Sequence, residues 1–221
     1  MIELRRVSRK YVLGGETIKA LDGIDLVIPD KTFMAIMGPS GSGKTTFLNL
    51  IGGLDRPDTG KVIVDGQDLS RLKDQQLSKF RNKDIGFVFQ AFHLQPFYSA
   101  EENVMLPLLF SKVKPKERKK RARDVLKLVD LEQRMKHRPS ELSAGQRQRV
   151  SIARAIVTEP NIILADEPTG NLDSKSGQTI MRLLRDLLKT RGITIVMVTH
   201  NAEMAKMADQ VVNILDGKIK S

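Results

Sequence analysis

Eight consecutive residues, Gly38 to Thr45, fit the pattern G-x-x-x-x-G-K-[ST] at every fixed position. Glycines let successive backbone N–H groups converge on phosphate oxygens without a Cβ in the way. An apolar-periodic segment follows the loop, and a helix starting there aims its N-terminal dipole at the same charge. Lys44 then reaches the β- and γ-phosphates, and the Thr45 hydroxyl ligates Mg2+. Gly38, Pro39, Ser40, Gly41, Ser42, Gly43 and Thr46 complete the candidate phosphate-contacting set. The second constellation is Ile162-Ile163-Leu164-Ala165-Asp166-Glu167, an apolar run that ends in two carboxylates. At the carboxyl end of a parallel strand such residues lie beside the phosphate loop. Asp166 is expected to hold Mg2+, directly or through water. Glu167 is expected to orient and deprotonate an attacking water. A third stretch, Leu142-Ser143-Ala144-Gly145-Gln146, precedes a helical pattern through Arg149, Ile152, Ala153 and Ile156. Ser143 is a good N-cap, and a serine-capped helix start is a second anion site. Read alone, it is no more than a capped helix.

These residues need strands and helices to hold them. Ile2 to Val7 and Leu21 to Ile28 alternate apolar and polar, as half-exposed strands do. Phe33–Met37, Ile85–Phe89, Ile162–Ala165 and Ile193–Val198 are wholly apolar and suit strands buried on both faces. Gln210 to Leu215 gives the last strand signal. Thr45 to Leu54 reads as the helix after the phosphate loop. Alternating strands and helices predict an α/β fold, a phosphate-loop NTPase core with a mostly parallel sheet. The stretch 91–156 differs: its periodic segments are helical and Pro96, Pro107, Pro115 and Pro139 punctuate it. Pro115 opens a helix to Val129 with Ala122, Val125, Leu126 and Val129 on its apolar face. The expected organisation is a single domain over 1–221, with a core of about 1–90 and 157–221 and an inserted helical subdomain of about 91–156.

Composition narrows the chemistry. The 221 residues include no cysteine, which excludes a disulfide framework, a thiolate zinc site, an iron–sulfur cluster and a cysteine nucleophile. Three histidines (His93, His137, His200) are too few for a histidine-built metal site. Hydrophobic residues at 40% and charged residues at 29% are ordinary globular usage. No window approaches ~18 apolar residues, and the start lacks the apolar run of a secretion signal, so a cytosolic protein is expected. The net charge of +11 is compatible with nucleic acid, an anionic membrane surface or nucleotide phosphates as partners.

The motifs occur in one order: the phosphate loop, Gln90 after a strand, Leu142 to Gln146, Asp166-Glu167, Asn171-Leu172-Asp173 and His200. In order and spacing the chain resembles the ATP-binding subunit of an ABC transporter over nearly its whole length. The signature of that family usually reads Leu-Ser-Gly-Gly-Gln, and Ala144 stands at its third position here. The resemblance implies an N-terminal antiparallel β part beside the core. It also implies that two copies sandwich two ATP molecules head to tail. Ser143 and Gly145 of one copy, with Gln146 beside them, would serve the γ-phosphate held by the other. Gln90 would sense Mg2+ and the attacking water, His200 would hydrogen-bond the γ-phosphate, and Asp173 would belong to the loop coupling the two sites. Tyr11, after the first strand, would stack on adenine, as aromatic rings do on bases. The partners implied are a second copy and an integral membrane permease, with no nucleic acid, and the place implied is the cytoplasmic side, peripheral on the inner face of the membrane.

Phe87 to Leu94, then Glu102 to Leu108 and Glu167 to Ser174, resemble the lipoprotein-release and macrolide- or peptide-exporter branch. A cell-division-like cassette that regulates a membrane partner without moving solute is the alternative. The segment Phe92 to Phe110 is expected to display Phe92, Leu94, Phe97 and Tyr98 in part, as a cleft for a permease helix. Lys112 to Arg123 holds eight Lys or Arg against one acid, Glu117. A solvated face of an amphipathic helix is the preferred reading of that run, ahead of nucleic acid or an anionic leaflet.

Overall fold

In the computed structural model, which describes residues 1–220 apart from the side chain of Leu13, the chain runs β1 (Ile2–Leu13), β2 (Glu16–Ile28), β3 (Phe33–Met37), α1 (Lys44–Ile51), β4 (Thr59–Val64), β5 (Gln67–Asp68), α2 (Asp74–Asp84), β6 (Ile85–Phe89), α3 (Ala100–Phe110), α4 (Pro115–Leu128), α5 (Ala144–Ile156), β7 (Ile162–Asp166), α6 (Ser174–Arg191), β8 (Thr194–Thr199), α7 (Ala202–Ala205), β9 (Gln210–Leu215) and β10 (Lys218–Lys220). Two sheets form. One has the order β2-β1-β4-β5 and is antiparallel. The other has the order β10-β9-β3-β8-β7-β6, parallel throughout except for the terminal β10–β9 pair.

The apolar runs explain the second sheet. Side chains alternate faces along a strand, so an all-apolar strand can be buried on both sides. Phe33, Ala35, Ile163, Ala165, Ile195 and Met197 pack into one core. Met34, Ile36, Ile162, Leu164, Val196 and Val198 pack into the other. The first core continues into α3, α4, α5 and α6, and the second into α1 and the antiparallel sheet. Each fully buried Ile, Leu or Phe contributes about 1.5–3 kcal/mol. The central strands are thereby pinned from both faces, and their carboxyl ends present Met37-Gly38, Asp166-Glu167 and Thr199-His200 along one edge.

The alternating strands run further than their patterns predict. β1 and β2 continue to Leu13 and Glu16 and join through Gly14-Gly15. Val12 and residues 16–19 are exposed on that ribbon, so no hydrophobic period marks them. The prolines of 91–156 do not all break helices either: α3 runs through Pro107. Its start is fixed by a reciprocal cap in which Ser99 and Glu102 bond each other's backbone N–H. Asn103, fully buried, donates to the carbonyls of Gln95, Tyr98 and Ser99 and accepts from the Gln95 N–H, so it pins the chain leading into α3.

Candidate active site

A cleft of about 560 Å³ lies at the carboxyl edge of the parallel sheet. Its lining includes Tyr11, Ser40, Gly41, Gly43, Lys44, Thr45, Thr46, Asp166, Glu167 and His200. One wall is the start of α1. Its N-cap is Gly43, which has no side chain to cap with, and no acid stands in the first turn. The leading N–H groups of α1 are thus left for an outside acceptor. Lys44 is only 7% exposed and its Nζ donates to the carbonyls of Gly38 at 2.9 Å and Pro39 at 2.7 Å. The Ser42 hydroxyl is buried with no hydrogen-bond partner. A buried cation beside an uncapped helix start makes a cradle suited to an anion rich in oxygen.

The facing wall carries the two acids. Glu167 adopts a left-handed φ of 45°, rare for a residue with a side chain, and its N–H donates to the Val198 carbonyl at 3.0 Å. His200 Nδ1 lies 2.8 Å from Glu167 Oε1. Burial pushes the Asp166 carboxyl up from its ordinary range, the Glu167 charge adds to this, and Lys44 opposes it. The strand end holds two like charges close together, which a cation would relieve. Within the cleft, Thr45 and Asp166 offer only oxygen donors for that cation. The few carboxylates match a Mg2+ ion shared with substrate phosphates better than an all-protein cage.

Gln90 is held just outside the cleft lining. Its Nε2 donates to Asn171 Oδ1 at 3.3 Å, and Asn171 Nδ2 returns a bond to the Gln90 carbonyl at 3.0 Å. A Cβ on Gly170 would stand 2.6 Å from Gln90 Nε2, so a side chain there would push the Gln90 amide out of this position. Just beyond Gln90, Phe92 and His93 both have left-handed φ, 60° and 48°. Arg154 of α5 donates to both of their carbonyls, Nη2 to Phe92 at 2.7 Å. No carboxylate among the described residues pairs with Arg154, and burial pushes its guanidinium down from its ordinary pKa. Arg154 and Asn171 are the residues that motif reading does not assign to this site. Neither contact is legible in a sequence: the Gln90–Asn171 pair spans 81 residues, and nothing reports two consecutive left-handed residues.

Ser143, Gly145, Gln146 and Asp173 do not line the cleft. Ser143 Oγ accepts from the Gln146 N–H while the Gln146 amide oxygen accepts from the Ser143 N–H, so these two side chains cap α5 reciprocally. Ala144 is the first residue of α5. A helical backbone suits alanine, so its departure from glycine carries no conformational cost there. Asp173 caps α6 by accepting from the Ser176 N–H, and hydrogen bonding from the Ser176 side chain first, then from that N–H, holds its carboxyl below the usual range. Tyr11 lines the cleft beside the phosphate loop, with its hydroxyl donating to Asp55 at 2.6 Å and the Arg9 guanidinium 4.8 Å from its ring centroid.

A second concavity, a groove of about 770 Å³, opens between α2, α3 and α5. Its apolar lining includes Leu54, Phe87, Phe89, Leu106, Pro107 and Phe110, and Arg154 lies in it. Leu106, Pro107 and Phe110 of the expected docking segment line it, whereas Phe92, Leu94, Phe97 and Tyr98 do not. Leu94 packs onto the core instead of facing out, because the Asn103 anchor turns that stretch inward. Phe97, 83% exposed, and Tyr98 are on the surface but do not line the groove.

Residues 21–170 match the family pattern described as ABC transporter. Over 99% of its length the chain is 50% identical to an uncharacterized ABC transporter ATP-binding protein, YknY, of Bacillus subtilis, covering 95% of that protein. It is 45% identical to the lipoprotein-releasing system ATP-binding protein LolD of Syntrophus aciditrophicus, covering 98% of it. It is 47% identical to the macrolide export ATP-binding/permease protein MacB of Chlorobaculum tepidum, of which it spans 33%. A dimeric structure of the ATP-binding cassette MJ0796 in a post-hydrolysis state, bound to ADP and Pi, superposes with a TM-score of 0.92 at 46% identity, covering 100% of this chain and 97% of that one. With the phosphate cradle and the paired acids in one cleft, these likenesses make the chain a member of the ABC transporter family, one of its ATP-binding and ATP-hydrolysing subunits.

Proposed function

We propose that two copies of this chain close head to tail over two ATP molecules and drive a membrane permease of the lipoprotein-release or macrolide-export type. The observation that carries this reading is the separation of two anion sites. Lys44, Thr45, Asp166, Glu167 and His200 share a cleft, while Ser143 and Gly145, at the capped start of α5, lie outside it. A second copy would bring its α5 start to the open side of the cleft, and the dimeric state of the MJ0796 structure supports that geometry.

Within each closed site the phosphate loop and Lys44 would bind and orient the β- and γ-phosphates. Thr45, Asp166 and Gln90 would hold Mg2+, which when bound neutralises phosphate charge. Glu167 would take the proton of the attacking water, and His200 would hold both the γ-phosphate and the Glu167 carboxylate in line. Tyr11 would stack on adenine, Gln146 would fix the Ser143 cap, and Asp173 would couple the two sites through α6.

The groove lined by Phe87, Phe89, Leu106 and Phe110 suits an amphipathic helix from the permease. No helix among the described residues is long and apolar enough to cross a membrane. Attachment to the inner face would therefore come through that partner, and the names LolD and MacB support its class. The test is affinity purification of the chain from detergent-solubilised membranes of its own cells, beside Leu54→Glu. Leu54 lines the groove and is already half-exposed, so its replacement spares the core. An integral membrane protein should elute with the native chain and not with the variant, whose free ATPase rate stays within about two-fold. Equal recovery with both chains, or no membrane protein at all, overturns the docking.

A further inference from the structure

We propose that the tip of the α3–α4 hairpin binds the anionic phospholipid headgroups of the membrane that holds the permease. The inference rests on the groove facing that membrane, and it names a second, lipid partner for the same side of the molecule.

The cationic run is not uniform. Farther along α4 the charges are paired: Arg121 with Glu117, Arg123 with Glu101 and Lys127 with Glu132. Lys112, Lys114, Lys116, Lys119 and Lys120 are exposed, and none has a carboxylate within ion-pair distance among the described residues. Asp124 is the one acid on the shallow surface that Lys116, Lys119 and Lys120 share. Uncompensated charge therefore concentrates at the tip, where the connection between the helices carries Lys112 and Lys114. Beside it stand two apolar side chains in water, Leu109 at 49% and Phe110 at 79% exposure.

An apolar pair flanked by free lysines is the composition of a membrane-interface anchor. The aromatic side chain enters the headgroup boundary, while lysine stems lie along it and keep their ammonium groups at the phosphates. The tip also sits at the mouth of the groove. Phe110 lines it, and Asn82 at the end of α2 donates to Ser111 Oγ at 2.8 Å, fixing the hairpin end there. A permease helix seated in the groove would bring its own bilayer to the same edge. Nucleic acid is the less suited partner, since no aromatic residue is interleaved among the lysines to stack a base. A polybasic tip alone gives weak, reversible attachment, and two signals give a stable one, so tip and groove would act together.

The test is co-sedimentation of the full chain with vesicles of phosphatidylcholine alone and of phosphatidylcholine with roughly one-quarter phosphatidylglycerol. Binding should appear only with the anionic vesicles and weaken as salt rises. Replacing Lys112, Lys114, Lys116, Lys119 and Lys120 together by Gln should lower the partition at least ~10²-fold, and Phe110→Ser should lower it several-fold. The five-Gln variant should keep the native ATPase rate in solution, which also reports that it is folded. If it does not fold, single Lys112→Gln and Lys119→Gln changes should each lower the partition about five-fold. Equal binding to both vesicle types, unchanged binding of the lysine variants, or binding to RNA without binding to anionic vesicles overturns the proposal. The vesicles contain no permease, so this outcome is separate from the Leu54→Glu result: either partner can fail while the other stands.

Discussion

His200 and Glu167 are hydrogen-bonded to each other on one wall of the cleft, Nδ1 to Oε1 at 2.8 Å, although 33 residues separate them in the chain. The bond links the ends of two adjacent parallel strands, β7 and β8. It sets where the carboxylate points. In Glu167→Gln the amide keeps the shape but cannot take a proton. ATP hydrolysis should fall at least ~10²-fold while ATP still binds. The variant should accumulate as an ATP-bound dimer on gel filtration; a monomer under saturating ATP would count against the two-copy site. His200→Ala should slow turnover as well, with a smaller loss than Glu167→Gln.

Lys44→Ala should reduce hydrolysis by ~10²-fold or more, since the buried ammonium is the cation at the phosphates. The sequence alone gives Lys44 no structural duty. The structure gives it one: the Gly38 and Pro39 carbonyls lose their partner, so a stability loss of about 1–2 kcal/mol should accompany the loss of rate. Chemical denaturation measured beside the rate assay separates the two. Native turnover in a folded variant removes the phosphate-loop assignment.

Ser143→Arg should leave ATP binding to the same subunit near normal and cut turnover at least ~10-fold, because Ser143 serves the other copy's nucleotide. Loss of the cap on α5 should cost about 1 kcal/mol. Full activity of the purified variant would show that closure does not use this helix start.

Arg154→Met should lower the maximal rate ~10-fold with the ATP dissociation constant unchanged, and Arg154→Lys should recover part of it. The reason is that Arg154 touches no substrate and acts by holding the Phe92 and His93 carbonyls, hence the strand end at Gln90. A parallel rise in the ATP dissociation constant, or an unchanged rate in a folded variant, would refute a positioning role.

Asp209 provides a pH signature. The Phe33 N–H, with Arg185 beside it, holds this carboxyl below the usual carboxylate range. A depressed folded pKa gives stability that is present above the unfolded value near 4 and is lost as pH falls through the folded one. Asp209→Asn should therefore be less stable than the native chain at neutral pH, and the gap should close below about pH 4. A gap that stays constant down to pH 2–3, followed by urea titration, would assign the effect to packing.

The parts of the site that could be read from residues share a physical cause. The phosphate loop is local, so one contiguous motif carries both its conformation and its chemistry. Asp166, Glu167 and His200 follow strands apolar enough to be recognised, and a parallel sheet aligns strand ends. Ser143 is legible as a cap because capping is also local, whereas the Asp173 cap on α6 emerges only in the structure. What stays hidden is long-range and carried by backbone. The pairing of Gln90 with Asn171 spans 81 residues, and the Arg154 bonds depend on the backbone at Phe92 and His93. Leu94 misled for the same reason, since its burial follows from Asn103 nine residues later. The outer half of β2 was illegible because residues 16–19 are all exposed and leave no alternation to read.

Helix α5 carries Ser143 at its start and Arg154 eleven residues on, a lever of about 16 Å at 1.5 Å per residue. One end grips the loop that follows its own chain's Gln90. The other end, in the two-copy arrangement proposed above, rests on the neighbour's nucleotide. Information about one subunit's ATP would then leave by the far end of the rod and arrive at the opposite reaction centre, so the wiring between the two halves is crossed. Each engine would be timed by its twin, and no substitution in α5 could retune one site while leaving the other's schedule alone.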